Sequence, residues 1–227
     1  MPSTIRLGGY TLVALALSTL PAFAAKYEIK VTDTAPPKEL KEAFTKQLAP
    51  QALTLVNDKG ETLCEVWLRK EFAAKATPEQ IEKGLNYRAL PEGSFVGVFR
   101  NPKLFYDYRQ QKIKPGVYTM RLGFQPADGN HMGTALYNEF CLLLPALQDE
   151  NPDPVKQKEM FQKSNKAAGT GHPAILMLFP NNKPADKPEI KSKGEGHYAL
   201  FAKSDAMVDS KKVSIGFAIT LVGHAAE

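Results

Sequence analysis

Apolar and polar residues alternate along several stretches of this chain, and a period of two marks strands with one buried face. Tyr27-Glu28-Ile29-Lys30-Val31 is the first such stretch. The clearest runs from Gly116 to Phe124, with Val117, Thr119, Arg121 and Gly123 on one face and Tyr118, Met120, Leu122 and Phe124 on the other. Ala52–Val56 and Glu61–Arg69 flank Asn57-Asp58-Lys59-Gly60, a turn cluster in which glycine supplies a positive φ, so the two segments form a hairpin. In its return strand Trp67 shares a face with Leu63 and Glu65, while Cys64 lies with Val66 and Leu68. Five further apolar runs read as strands: Gly93–Phe99, Glu139–Leu147, Pro173–Pro180, His197–Lys203 and Val213–Val222.

Helical signals are few. Leu40, Phe44 and Leu48 recur at i, i+4 and i+8 after Pro36-Pro37, which predicts a helix over 38–49 ended by Pro50. Thr77-Pro78-Glu79-Gln80-Ile81-Glu82-Lys83-Gly84 predicts a short capped one, with Thr77 as N-cap, Gln80 completing a capping box and Gly84 just past the end. Residues 148–170 are rich in Asp, Glu, Asn, Pro and Lys, and read as a polar surface excursion in which Met160, Phe161 and Val155 can anchor a short helix. A similar Pro/Asn/Lys stretch, 181–194, joins two strands as a long loop. Eight or nine short strands with one or two short helices define an all-β chain. The expected architecture is an antiparallel β-sandwich, Ig-like or jelly-roll-like, with a closed barrel as the alternative.

The first residues alter the picture of where this domain works. Arg6 precedes an apolar run from Thr11 to Leu20, then Pro21 and Ala22-Phe23-Ala24, the charged start, short apolar core and small-residue end of a secretory signal peptide. The run is shorter than the roughly 20 apolar residues a membrane-spanning helix needs. Cleavage is expected after Ala24, with Ala25 the next candidate, leaving one domain over 25–227 in the periplasm or outside the cell. The formal charge of +5 falls by one when Arg6 leaves with the leader, and lysines are interleaved with acids throughout. That balance serves solubility and gives no case for a nucleic-acid partner. The basic stretch Lys183–Lys193, broken by Asp186 and Glu189, reads as a solvated loop. No later segment is long and apolar enough to span a membrane as a helix. Cys64 and Cys141 sit in strand-like segments in a compartment that permits disulfides. A bond between them would contribute about 4 kcal/mol on the chain-entropy account. Two separate buried thiols are the other reading.

Candidate chemistry concentrates between Phe105 and Gly133. Asp107, Tyr108, Arg109, Lys112 and Lys114 crowd before Pro115-Gly116, and Asp128-Gly129-Asn130-His131-Met132-Gly133 follows the core strand. Polar loops at strand ends are where β scaffolds carry function, so Asp107, Tyr108, Arg109, Asp128, Asn130 and His131 are the candidate ligand-binding residues. The same residues also suit plain turn chemistry and a surface ion pair. Imidazole and thioether donors at His131, Met132, His172, His197 and His224 would suit copper or zinc, although none of them falls at familiar ligand spacing. Trp67, Tyr106, Tyr108 and Tyr118 could offer a stacking surface for carbohydrate, or pack in the core. No nucleophile elbow, thiol–imidazole pair or phosphate-binding loop is present, so no catalytic residue is assigned. A hydrolase would need a cleft with paired titratable groups drawn from Asp107, Asp128 or Glu139.

The segment DYRQQKIKPGVYTMRLGFQPADGNHMGTALYNEFCLLLP, with CEVWLRKE upstream and ITLVGH near the end, resembles a family of exported bacterial proteins found mainly in planctomycete-type genomes. The resemblance covers most of the mature chain and implies export and a compact fold. It implies no activity and transfers no catalytic residue. The functional expectation is a non-enzymatic binding or interaction module of the periplasm or cell envelope, without cofactor, whose partner is an envelope protein or small ligand. A copper- or zinc-binding envelope protein is the second reading and an envelope hydrolase the third.

Overall fold

A computed structural model describes residues 26–125, 137–194 and 196–223; residues 1–25, 126–136, 195 and 224–227 lie outside it. Among the described residues thirteen strands occur in chain order: β1 (Tyr27–Thr32), β2 (Ala52–Asn57), β3 (Thr62–Leu68), β4 (Glu71–Ala73), β5 (Phe95–Asn101), β6 (Phe105–Tyr106), β7 (Lys112–Ile113), β8 (Gly116–Phe124), β9 (Glu139–Pro145), β10 (Ile175–Met177), β11 (Glu189–Ser192), β12 (Tyr198–Val208) and β13 (Lys211–Val222). The helices are α1 (Glu42–Thr45), α2 (Pro78–Lys83) and α3 (Gln157–Ala168).

The alternating stretches pair as a meander. Seven strands form one antiparallel sheet in the order β1-β2-β3-β5-β8-β9-β10, and the polar excursions 102–115 and 148–170 each leave from between two neighbours of that sheet. The second sheet is β11-β12-β13, with β4 running parallel beside β12. The sheets meet at a seam where Leu178 bridges Ile219 and the Phe179 N–H donates to Ala218 O at 2.9 Å. This is an all-β, sandwich-like fold, as its strand pattern requires.

Its core follows from the period of two. Leu55, Cys64, Val66, Leu68, Phe99, Met120, Leu122 and Leu143 of the large sheet face Leu200, Ala206, Ile215, Phe217 and Ile219 of the small one. The opposite face of the large sheet is not left to water. Leu40, Phe44 and Leu48 cover Trp67, Phe95 and Val98. Met160 of α3 lies against Phe140, Leu142 and Leu144. Trp67 is fully buried and its indole N–H donates to Thr34 O at 2.9 Å.

One residue has no apolar reason to lie under that cover. Arg121, on the outer face of β8, is completely buried and forms a two-pronged pair with Asp149, Nε to Oδ2 at 2.8 Å and Nη2 to Oδ1 at 2.9 Å. Its remaining N–H groups donate to Gly93 O at 3.1 Å, Asp153 O at 2.7 Å, Pro152 O at 3.4 Å and Asn151 O. The rings of Phe44 and Phe95 lie 5.6 Å from its guanidinium. The Thr119 hydroxyl donates to Asp149 Oδ2 at 2.6 Å, so the carboxylate is bonded on both oxygens. Gly93, at φ +79°, admits the backbone of Val155, whose O atom would lie 2.0 Å from a Cβ there.

Several expectations need correction. The helix over 38–49 is a single turn, α1, although Leu40, Phe44 and Leu48 are buried as its periodicity requires. Lys41 is extended at ψ 147°, and beyond the turn the chain pairs with β3 through Ala49 N to Leu68 O at 2.8 Å, which ends helical bonding. Residues 148–170 are more ordered than a polar excursion suggests, because they carry the twelve-residue α3 and the buried Asp149. The loop over 181–194 contains β11, and β12 extends to a two-residue turn at Asp209 and Ser210, with φ of 46° and 68°. The twist of such a turn matches that of its strands even without glycine. The short helix after Thr77 has the expected capping box, with Gln80 N to Thr77 Oγ1 at 3.3 Å and Thr77 N to Gln80 Oε1 at 2.8 Å.

The expected disulfide is absent: Cys64 and Cys141 are both free and buried. Register explains why. Cys64, next to the Glu65↔Arg100 pair, lies at the sheet level of Asn101 and Gly116, whereas Cys141 pairs with Leu122. Six residues of strand separate those levels, roughly 20 Å, against a Cα separation of about 4.4–6.8 Å in a disulfide. Burial pushes both thiols well above their ordinary pKa. In native buffer neither thiol should react with a thiol reagent within minutes, and both should react in denaturant without reductant. A titre of zero thiols in non-reducing denaturant would contradict this arrangement.

Truncating Asp149 to Ala leaves Arg121 charged and unpaired, so the variant should lose about 3–5 kcal/mol in urea unfolding followed by circular dichroism. The joint change Arg121→Met with Asp149→Leu should lose less than Asp149→Ala alone. If Asp149→Ala costs less than about 1 kcal/mol, the pair is not holding this layer in place.

Candidate functional site

Residues 102–115 leave the sheet between β5 and β8 and return as a small hairpin, β6 paired with β7. Its base is closed by Asn101, which is 1% exposed and whose Nδ2 donates to Lys103 O, Ile113 O and Lys114 O at 2.9, 3.2 and 2.9 Å. The Tyr118 hydroxyl adds a bond to Lys114 O at 2.8 Å. Phe105 and Ile113 are cross-strand partners facing inward, with Phe105 edge-on to Phe99 at 4.9 Å. Tyr106 and Lys112, the next pair, therefore face outward.

Asp107 organises the tip. Its carboxylate is fully buried and accepts four N–H groups: Arg109 N and Gln111 N on Oδ1 at 2.9 and 2.8 Å, and Gln111 Nε2 and Ile175 N on Oδ2, both at 2.9 Å. Burial pushes the Asp107 carboxyl above the usual carboxylate range, and the N–H groups of Ile175, Gln111 and Arg109 pull it back. Tyr108 N donates to Ile175 O at 3.0 Å, so Asp107 and Tyr108 together occupy both hydrogen-bonding groups of Ile175 at the edge of β10. Gln110 is held at φ 60°, a conformation non-glycine residues adopt only when the surroundings impose it. Gln111 ties the tip to the next loop, with Nε2 donating to Pro173 O at 2.7 Å and Oε1 accepting from the Thr170 hydroxyl.

The candidate residues thus divide. Asp107 is a buried loop organiser. Tyr108 is 7% exposed, with its ring 5.6 Å from that of His197, which is itself buried beside Gly223. Arg109 is exposed at the hairpin tip. His172 is exposed in the loop that Thr170 joins to Gln111, its N–H donating to Thr170 Oγ1 at 3.1 Å. Asp128, Asn130, His131, Met132 and His224 lie outside the described residues. Among the described residues no group of three His, Cys, Asp or Glu side chains converges to hold a metal ion, so His172 and His197 form no such site with described neighbours. Glu139 pairs with Arg88 at 3.3 Å, whereas Asp107 is bonded by four N–H donors, so each of these acids is taken up by other partners. Trp67, Tyr108 and Tyr118 are buried, which leaves Tyr106 as the exposed member of the proposed stacking set.

The sequence pattern singles out Arg109, Lys112 and Lys114 of this hairpin but neither Lys103 nor the buried hydrogen bonds that display them. Lys103, Arg109, Lys112 and Lys114 are all exposed, together with Leu104 at 49% and Tyr106 at 51%. The only acid between 102 and 115 is the buried Asp107. Lys103 meets one outside carboxylate, Glu61, at 3.4 Å with both side chains more than half exposed. A cavity of about 300 Å³ lies elsewhere, beside the Arg121 pair. Its lining includes Asp149, Glu150, Asp153, Lys156, Glu159 and Lys163, of which Lys163 and Glu159 pair at 2.7 Å and Lys41 reaches Glu150 from outside. Among the described residues no helix is long and apolar enough to cross a membrane. No known protein family, curated protein or solved structure matches the chain.

Replacing Asp107 by Asn turns one acceptor oxygen into an amide donor that opposes two of the four N–H groups. Asp107→Asn should lower stability by about 1–3 kcal/mol in urea unfolding at neutral pH. A change below about 0.5 kcal/mol would mean that the carboxylate does not hold the tip.

Proposed function

We propose that this chain is an exported, non-enzymatic binding module of the periplasm or cell envelope, and that the outer face of hairpin 102–115 is its contact surface. One observation carries the reading. A fully buried carboxylate with four N–H donors, and a buried amide at the base, immobilise a hairpin whose outer face bears exposed cations and two large apolar side chains. Ordering such a face before contact reduces the entropy lost on binding. Two other buried polar features act inside the fold: Arg121 with Asp149, and the Tyr87 hydroxyl, which accepts from Ala218 N at 3.0 Å and donates to Phe179 O at 2.7 Å. The export part of the reading rests on the leader pattern of residues 1–24.

Two double variants with the same change in net charge separate a focused surface from general basicity. Arg109→Glu/Lys112→Glu alters the hairpin, while Lys183→Glu/Lys187→Glu alters exposed lysines of the 181–194 loop. On an immobilised polyanion such as heparin, the hairpin variant should elute at clearly lower salt than the loop variant. Equal elution of the two would remove the hairpin as the contact surface.

A further inference from the structure

Resting on that reading, we infer that the partner of the hairpin face is a bilayer surface rich in anionic lipid headgroups. The outer face repeats one chemistry. Tyr106 and Lys112 are a cross-strand pair facing out, Leu104 and Lys114 follow two residues beyond each, and Lys103 and Arg109 flank them. Leu104 and Tyr106 are two of the four large hydrophobic residues that are strongly exposed among the described residues, and Lys112 and Lys114 lie across the hairpin from them. A half-exposed leucine and tyrosine set among lysines match the level of a membrane where acyl chains give way to phosphates, with the tyrosine ring in the apolar side and its hydroxyl in the wet one.

Charge complementarity selects the membrane over a folded acidic protein. Protein interfaces are depleted of lysine in their centre and use charges of both signs to set register. This face has three lysines to one arginine and no exposed acid of its own between 102 and 115. Among the described residues Glu61 is the one carboxylate paired with Lys103, and Asn57 and Lys103 hold that carboxyl below its usual range, so it stays charged and offsets part of one lysine. A cluster of about four cations beside inserted apolar side chains is the pattern that binds anionic bilayers, by attraction that salt weakens and by apolar burial that salt does not.

The test is co-sedimentation of the protein, without its leader, with vesicles of phosphatidylcholine alone or with roughly one third phosphatidylglycerol. Binding should need the anionic lipid and fall at least about tenfold when salt rises from about 50 to about 500 mM. Lys112→Glu/Lys114→Glu should lose at least about tenfold in affinity, and Leu104→Ser/Tyr106→Ser should weaken binding even at low salt, with far-UV circular dichroism confirming that both variants fold. Polyglutamate provides the second arm. If it binds and Lys112→Glu/Lys114→Glu abolishes that binding, while anionic vesicles do not bind, the membrane is excluded and the hairpin remains a contact surface for an acidic protein. If neither probe distinguishes wild type from Lys112→Glu/Lys114→Glu, both the membrane and the hairpin surface are excluded.

Discussion

The pairing of Arg121 with Asp149 is the constraint to which the outer layer of this protein conforms. A guanidinium buried on a strand face cannot shed its charge, so five N–H donors must find acceptors without water. One carboxylate supplies two, and backbone carbonyls of Gly93, Asn151, Pro152 and Asp153 supply the rest. Residues 149–153 therefore have to curl over β8 in one conformation. That curl sets the start of α3, which lays Met160 on Phe140, Leu142 and Leu144. From the other side Phe44 and Phe95 close over the guanidinium, so the cover formed by residues 40–48 and the cover formed by α3 meet at Arg121. Apolar packing would have been the cheaper way to fill this space. The ion pair adds direction, since only one placement of the 149–155 segment satisfies all of its donors.

Asp107 repeats the device at the surface. There the donors are backbone and amide N–H groups, and the acid is the acceptor that gathers them. Ile175 is the most informative partner, because its N–H bonds Asp107 and its C=O accepts from Tyr108. The short strand β10 would otherwise present an open edge; the hairpin covers it there and gains a rigid mount. A lysine-rich loop thereby becomes a fixed face, with Leu104, Tyr106, Lys112 and Lys114 on its outer side and Lys103 and Arg109 exposed beside it. Exposed residues on a rigid scaffold are the usual form of a binding surface in β proteins.

The strands were legible because alternation reports burial directly. The division of β8 into a Tyr118/Met120/Leu122 face and a Thr119/Arg121 face holds, as do the hairpin at Asn57–Gly60 and the capping box at Thr77. What alternation cannot report is a second cover. Alternation places Thr119 and Arg121 on one face without saying what covers it, and both are fully buried because residues 149–155 lie over them. The polar character of 148–170 is for the same reason a poor guide to its exposure: Asp149 is charged and 1% exposed. The periodicity of Leu40, Phe44 and Leu48 predicted burial correctly and helix length wrongly, since pairing of Ala49 with Leu68 lies outside any local pattern. Asp107 and Arg109 stood out as candidates, but their separate roles depend on Ile175, 68 residues away. Cys64 and Cys141 illustrate the same limit, as both face the core and only the register shows that they are at opposite levels of the sheet.

Buried charges fasten two polar excursions of this protein so firmly that the hairpin face is preformed. Amide hydrogen exchange on the native protein tests it most directly. The amides of Arg109, Gln111 and Ile175, bonded to Asp107, and of Val155, bonded to Gly93 O at 3.2 Å, should exchange nearly as slowly as those of β8 and β9. Exchange of these four amides at the rate of an unprotected loop, with β8 and β9 still protected, would contradict the claim and leave the hairpin face without its mount.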